Sequence, residues 1–536
     1  MRRQELVLGV DVGTSSAKGV LATPDGRVVA RAESPHAISR PRPGWAEHNP
    51  ERVWWGSFLD VCHQLLRCTG GPDVAAVCCS GLGPCLLPVD GEFRPLRPAI
   101  LYGIDTRATR EIAELTDGLG RAAILARCGS LLSTQAVGPK LVWLRRNEPA
   151  VWQRTRGLLM AHSFLVARLT GEYVLDHHSA SQCDPLYDLE EQRWAEDWAD
   201  EVAPGLPLPR LVWPADIVGQ VTPAAEAATG IRAGTPVAAG TIDAWAEASS
   251  AGVRRPGDLM IMYGTTTFLI EVVAEASPDE RLWLCNGVEP GTRTMAAGTA
   301  TSGALTAWLR DLLETQSYEE LFAEAAKLSA GAGGLVVLPY FAGERTPVFD
   351  PDARGLILGL TLSHHVGHVY RSLLEATAYA IRHNLEVMAD AGGQPRRVFA
   401  VGGGTRGSLW PQIVSDVTGE RQEIPRETIG ACYGDALCAA VATGLCAADS
   451  EWNAPEMTIE PNPALESAYS DLYGIYRSLY PATVEQMHAL ARIQDGNGIS
   501  RETEHEVVGT ATSRERGWSH RDVRHVRPRP QVKDHP

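Results

Sequence analysis

The stretch LGVDVGTSSAKGVL, beginning at Leu8, sets the carboxylate of Asp11 in an apolar run and follows it with Gly13, Thr14, Ser15 and Ser16 before the apolar pattern resumes. A turn of small residues exposes backbone N–H groups and hydroxyls without Cβ crowding, a concavity suited to phosphate oxygens. Bare phosphate would repel Asp11, yet a carboxylate beside phosphate suits Mg²⁺, which combines one or two carboxylates with substrate phosphates. Lys18 adds a compensating positive charge. The same residues also fit an ordinary hairpin with a solvated Asp, and this turn alone leaves both readings open.

Three further stretches carry chemistry. MYGTTTF places Gly264, Thr265, Thr266 and Thr267 between two apolar runs, about 250 residues after the first turn, so that a duplicated unit could grip a polyphosphate between two facing turns. RVFAVGGGTRGSLW gives Gly402, Gly404 and Gly407 the spacing G-x-G-x-x-G between an expected strand and an expected helix, with Glu423 and Glu427 beyond. That spacing permits a dehydrogenase, but such a unit normally opens its sheet, whereas most of this chain precedes it. A loop that lets backbone approach a nucleotide base fits better, and no G-x-x-x-x-G-K-[S/T] sequence occurs. In VAAGTIDAWAEASSAG, Asp243 follows an apolar run and a glycine. It suits a helix N-cap, a base held at a domain junction, or both.

The elements that must position these residues follow from pattern. ELVLGVDVG and AKGVLATPDGRVVARAES read as strands joined by turns, the second at Pro24-Asp25-Gly26. Helical and strand patterns then alternate, as in ERVWWGSFLDVCHQLLR and VAAVCCSGLG, which argues for an α/β architecture. A length of 536 residues predicts two domains, divided here as 1–250 and 251–448, then a helical segment 449–495 and a tail 496–536. Leu465, Tyr469, Tyr473, Tyr476 and Tyr480 share one helical face, which reads as core packing. The tail, charged and proline-rich with few large apolar residues, is expected to be disordered.

Composition narrows the classes. With 44% hydrophobic and 21% charged residues and no apolar run near the roughly 20 residues of a membrane helix, a globular protein away from membranes is expected. The basic start reaches Asp11 before an apolar export segment forms, so the expected compartment is the cytoplasm. Eleven scattered cysteines without a C-x-x-C pair read as small core residues. A net charge of −16 argues against nucleic acid as a partner.

These pieces, with GWAEHNPERVWW, LRPAILYGIDTRA, PKLVWLRRNEP, LPYFAGERTPVFDPDARGLILGL and HVYRSLLEATAYAIRHN in the same order, make the chain resemble the FGGY carbohydrate kinases of the actin-like ATPase superfamily, from about Leu6 to about Gly444. The resemblance implies an α/β fold of two ribonuclease-H-like domains flanking a deep cleft. It implies ATP and Mg²⁺ between the phosphate turns and a small-molecule sugar bound mainly by the first domain. Asp11, Gly13, Thr14, Ser15 and Lys18 would form the first phosphate loop, with Asp11 at the metal, and Gly264, Thr265 and Thr266 the second. Gly402, Gly403 and Gly404 would face the adenosine, Asp243 would be the base, and Asp105 and Arg107 would bind sugar.

Departures bear on the substrate. Where xylulose kinases carry Met-His-Gly against the sugar, this chain has Gly83, Pro84 and Cys85, and Pro84 cannot replace the nitrogens of an imidazole. Gln135 and Val137 also depart from the family pattern near Lys140 and Trp143, so the substrate stays open among ketopentoses such as xylulose, other ketoses, polyols and sugar acids. A homodimer is left open by the aromatic helix. The competing reading is a catalytically silent sugar and nucleotide binder, against which the retained Asp11 and Asp243 argue. A chaperone of the same superfamily would need a long substrate-binding domain after the ATPase, where this sequence reads as one helical segment and a tail expected to be disordered.

Overall fold

In the computed structural model, residues 5–69, 73–313 and 317–496 are described. Of the expected tail only Gly496 falls among them, as the end of the last helix, and the rest lies outside. Two seven-stranded sheets organise the chain. In the first, Leu6–Val12, Ser16–Ala22 and Val28–Pro35 form an antiparallel meander, and Leu6–Val12 also pairs in parallel with Val74–Gly81. Asp25 and Gly26 lie at the expected second turn, where Gly26 N–H donates to Thr23 O at 2.8 Å.

The second sheet repeats the plan. Asp258–Tyr263 and Thr267–Val273 pair antiparallel, Arg293–Gly298 extends the meander, and Arg397–Val401 joins Asp258–Tyr263 in parallel. Gly13 N–H donates to Ser16 O at 3.0 Å in the first turn, and Gly264 N–H to Thr266 O at 3.1 Å in the second, so both small-residue turns sit at equivalent points of equivalent meanders. Trp283–Asn286 and Pro455–Ile459 complete the edges of this sheet.

Helices cover the sheets because each strand pattern leaves an apolar face to bury. Gly56–Cys68 packs Phe58, Val61 and Leu65 under the first sheet. On the other face lies Ala431–Ala442, late in the chain, whose Cys432, Ala436, Ala439 and Ala440 cluster with Val7, Val20 and Ala76. This same helix packs along Asp243–Ala251, the helix that joins the two sheets in sequence. The aromatic stripe of Glu466–Gly496 is core, as expected: Tyr469, Tyr473 and Tyr476 are buried, and Tyr469 Oη takes part in a buried cluster with Arg371 and Glu375. Among the described residues no helix is long and apolar enough to cross a membrane.

Candidate active site

Asp11 stands opposite Lys18 in the antiparallel ladder and opposite Ser80 in the parallel one. The residue is 9% exposed, and the Ser80 hydroxyl lies between its carboxylate, at 3.3 Å, and the buried carboxyl of Asp435, at 2.7 Å. Asp243 opens the helix Asp243–Ala251 rather than capping it: Ile242 holds the N-cap position, and Asp243 Oδ1 accepts from Ala244 N–H at 2.8 Å. One turn later on the same face comes Glu247, a residue missed in the sequence although four-residue helical spacing from Asp243 points to it.

Asp11, Asp243 and Glu247 are too many carboxylates for one place without a cation. Burial, then Asp243 and more weakly Glu247, push Asp11 well above the usual carboxylate range, while Lys18 opposes them. Asp243 is pushed up to about 6 by burial, against the Ala244 N–H and His162. Glu247 is pushed up to about 7 by burial and by Asp243, again opposed by Lys18. Hard oxygen donors with uncompensated charge fit a divalent cation. Among the described residues no group of three or more His, Cys, Asp or Glu side chains could hold a metal ion by itself, so an ion here would need further oxygen donors from a ligand or water.

Two cavities meet at this carboxylate group. The first is lined by Asp243, Thr266, Gly83, Gln135, Gln182 and Arg345 among others, and the second by Lys18, Gly402, Gly403, Thr405 and Arg406; Asp11 and Glu247 line both. The structure thus brings together Asp11, Lys18, Asp243, Thr266, Gly402 and Gly403, drawn from four separated stretches. Thr14 Oγ1 is 2.9 Å from Tyr102 Oη. Thr265 O accepts from Ser302 and Ala304 N–H at 3.0 Å, and Gly264 O from Gly303 N–H at 3.0 Å, which ties the second turn to the start of the helix Gly303–Leu313. Gly402 has φ +95°, and a Cβ there would stand 2.6 Å from Tyr263 O. Gly404 packs on Tyr263 and Trp410.

Asp105 and Arg107 are not brought to the cavity wall. Both side chains are fully buried and ion-paired at 2.7 Å, Asp105 accepts from Ala46 N–H at 2.7 Å, and the guanidinium also pairs with Glu47 and lies 3.9 Å over the Trp45 ring. These contacts tie the Asp105 segment to the one at Trp45–Glu47. Gly83 reaches the cavity, while Pro84 and Cys85 are buried and absent from its lining.

The first cavity has walls from both sheets. Trp245 Nε1 donates to Thr294 Oγ1 at 3.0 Å, and Trp283 and Cys285 of an edge strand line the cavity together with Gln182 and Asp184. Arg345, also at the wall, follows the buried Glu344, whose Oε1 accepts from Ala300 N–H at 2.8 Å and Arg345 N–H at 2.7 Å. Burial pushes Glu344 up to about 8, against these two N–H groups and Arg345. Its unfolded carboxyl ionises near 4.5, so rising pH through the window from 4.5 to about 8 favours the unfolded chain. Glu344→Gln keeps the acceptor and mimics the protonated group. Thermal unfolding should find variant and parent matched at pH 5 and the variant ahead at pH 9; a constant gap across pH would refute this.

Comparison with known proteins identifies matches along most of the chain. Residues 6–249 match the model of the FGGY family of carbohydrate kinases, N-terminal domain, and residues 259–443 that of the C-terminal domain. Xylulose kinase of Escherichia coli (strain K12) is 29% identical, over 89% of this chain and 98% of the relative. Glycerol kinase of Nocardia farcinica is 30% identical, over 83% and 90%. The crystal structure of xylulose kinase from Rhodospirillum rubrum is 34% identical, with a TM-score of 0.84, covering 90% of this chain and 100% of that one.

Proposed function

The chain belongs to the FGGY family of carbohydrate kinases, and from that premise we propose that it transfers the terminal phosphoryl group of ATP to a hydroxyl of a ketopentose such as xylulose, or of a related ketose, polyol or sugar acid. The observation that carries this reading is the meeting of two cavities at Asp11 and Glu247, one with Asp243 at its wall and one with glycine-rich backbone and Lys18. Acceptor and donor would enter from opposite sides, the arrangement an in-line displacement requires.

Asp243 would accept the proton of the attacking hydroxyl. The turns at Gly13–Ser15 and Gly264–Thr266 would present N–H groups and hydroxyls to phosphate oxygens, and Lys18 would balance their charge. Gly402, Gly403 and Gly404 would let backbone approach the nucleoside. Asp11, with Glu247 nearby, would hold Mg²⁺, which when bound neutralises charge on the phosphates. Walls contributed by both sheets would exclude water, protecting ATP from hydrolysis.

Release of ADP, measured with Mg-ATP against ketoses, polyols and sugar acids, tests the reading directly. Stimulation by at least one of them is expected. ATP binding without stimulation by any would favour the catalytically silent alternative.

A further inference from the structure

Two glutamines in the first cavity are each pinned by one end. Gln135 Oε1 accepts from Gly103 N–H at 3.0 Å, and its backbone carbonyl, with that of Thr134, receives the ammonium of the buried Lys140 at 3.3 and 2.8 Å. That leaves the Gln135 Nε2 donor for the cavity. Gln182 Nε2 lies 2.8 Å from His178 Nε2, while His178 Nδ1 lies 2.7 Å from Asn286 O. A carbonyl only accepts, so Nδ1 carries the proton and Nε2 accepts from the Gln182 amide. Burial holds the ring neutral by pushing it down to about 4, and Trp245 packs on it at 4.0 Å between ring centroids. The end left for the cavity is therefore the Gln182 Oε1 acceptor.

Charge at the wall is equally selective. Asp11, Asp184, Asp243 and Glu247 line this cavity, and Asp184 is 6% exposed with one oxygen lacking a hydrogen-bond partner. Against them stands the guanidinium of Arg345. Burial pushes all four of these carboxyls upward, so the wall already holds more acid than it keeps ionised, and a substrate carboxylate would add one more buried acid to it, whereas hydroxyls can both donate and accept.

Resting on the kinase reading above, we propose that Gln135 and Gln182 are specificity-determining residues, offering one fixed donor and one fixed acceptor to the hydroxyls of an uncharged ketose or polyol and discriminating against sugar acids. They supply the polar contacts that Gly83 and the buried Pro84 cannot. His178 is a positioning residue that sets which way the Gln182 amide faces.

Calorimetric titration of the full chain with D-xylulose, xylitol and D-xylonate tests this without depending on turnover. The parent should bind D-xylulose or xylitol and bind D-xylonate at least tenfold more weakly. Gln182→Met and Gln135→Met, tested separately so that one misfolded variant leaves the other informative, should each weaken the neutral ligand by roughly 10-fold or more. His178→Phe, which keeps the ring contact with Trp245 and removes both the acceptor for Gln182 and the donor to Asn286 O, should weaken it similarly and lower the thermal midpoint through the orphaned carbonyl. Preference for D-xylonate, no binding of any of the three by the parent, or folded Met variants that bind like the parent would each overturn the proposal. Sugar-stimulated ADP release with unaffected Met variants removes this inference and leaves the kinase reading; binding without ADP release does the reverse.

Discussion

Asp243→Asn is expected to lower kcat by roughly 10²- to 10⁴-fold, the range associated with loss of a positioned general base. The amide keeps the side chain's shape and can still accept from Ala244 N–H, so the helix start at Asp243 should survive. It removes the group that would take the hydroxyl proton and takes one charge out of the cluster with Asp11 and Glu247. Ligand affinity should therefore change far less than turnover, with the two separated by steady-state ADP release and by titration. Near-parental kcat in a folded Asp243→Asn protein would move the base elsewhere in the cleft.

Gly434→Ala should be nearly as damaging although the residue lines neither of the two cavities that meet at Asp11. A Cβ at Gly434 would lie 2.0 Å from Ala246 O and 3.1 Å from Ser250 N, both backbone atoms of the helix that carries Asp243 and Glu247. Backbone cannot swing aside as a side-chain tip can, so the two helices must part. A displacement of about 1 Å at a catalytic group costs on the order of 10²-fold in rate, and overpacking of this kind costs about 1–3 kcal/mol of stability. Gly474→Ala is the matching control: it lies inside Glu466–Gly496 with open space around it, and should be stabilising by about 0.5–1 kcal/mol. Activity and thermal midpoint measured together decide the matter. A Gly434→Ala protein with a lowered midpoint and parental kcat would show that the helix carrying Asp243 does not need this contact to be held.

The features legible in the sequence are those whose physics is local. Asp11 and its turn, the GTTT turn, and the glycine run after Val401 each announce themselves through a change from apolar run to small residues, and the structure sets them between the elements they imply. Asp243 was legible as the residue after an apolar run, although its cap assignment shifted by one position to Ile242. Gln182, Trp283 and Arg345 gave no local sign of sharing a cavity, because nothing in their neighbourhoods encodes the docking of Trp283–Asn286 beside Ser130 and Ser181.

The case of Asp105 and Arg107 marks the limit. Their spacing fits an ion pair whether it faces a ligand or the interior, and Trp45, Glu47 and Trp143, which decide for the interior, come from two other segments. By itself, then, the sequence determined the α/β class, the repeated meander with its phosphate-suited turns, and the kinase resemblance, since hydrophobic period and turn chemistry act over a few residues. Only the tertiary structure decided that Ala431–Ala442 crosses to the first sheet, that Glu247 joins Asp11, and that two pinned amides wall the first cavity. Those outcomes depend on burial and on hydrogen-bond partners supplied by chain segments tens to hundreds of residues apart, such as His178 with Asn286 and Gly434 with Ala246.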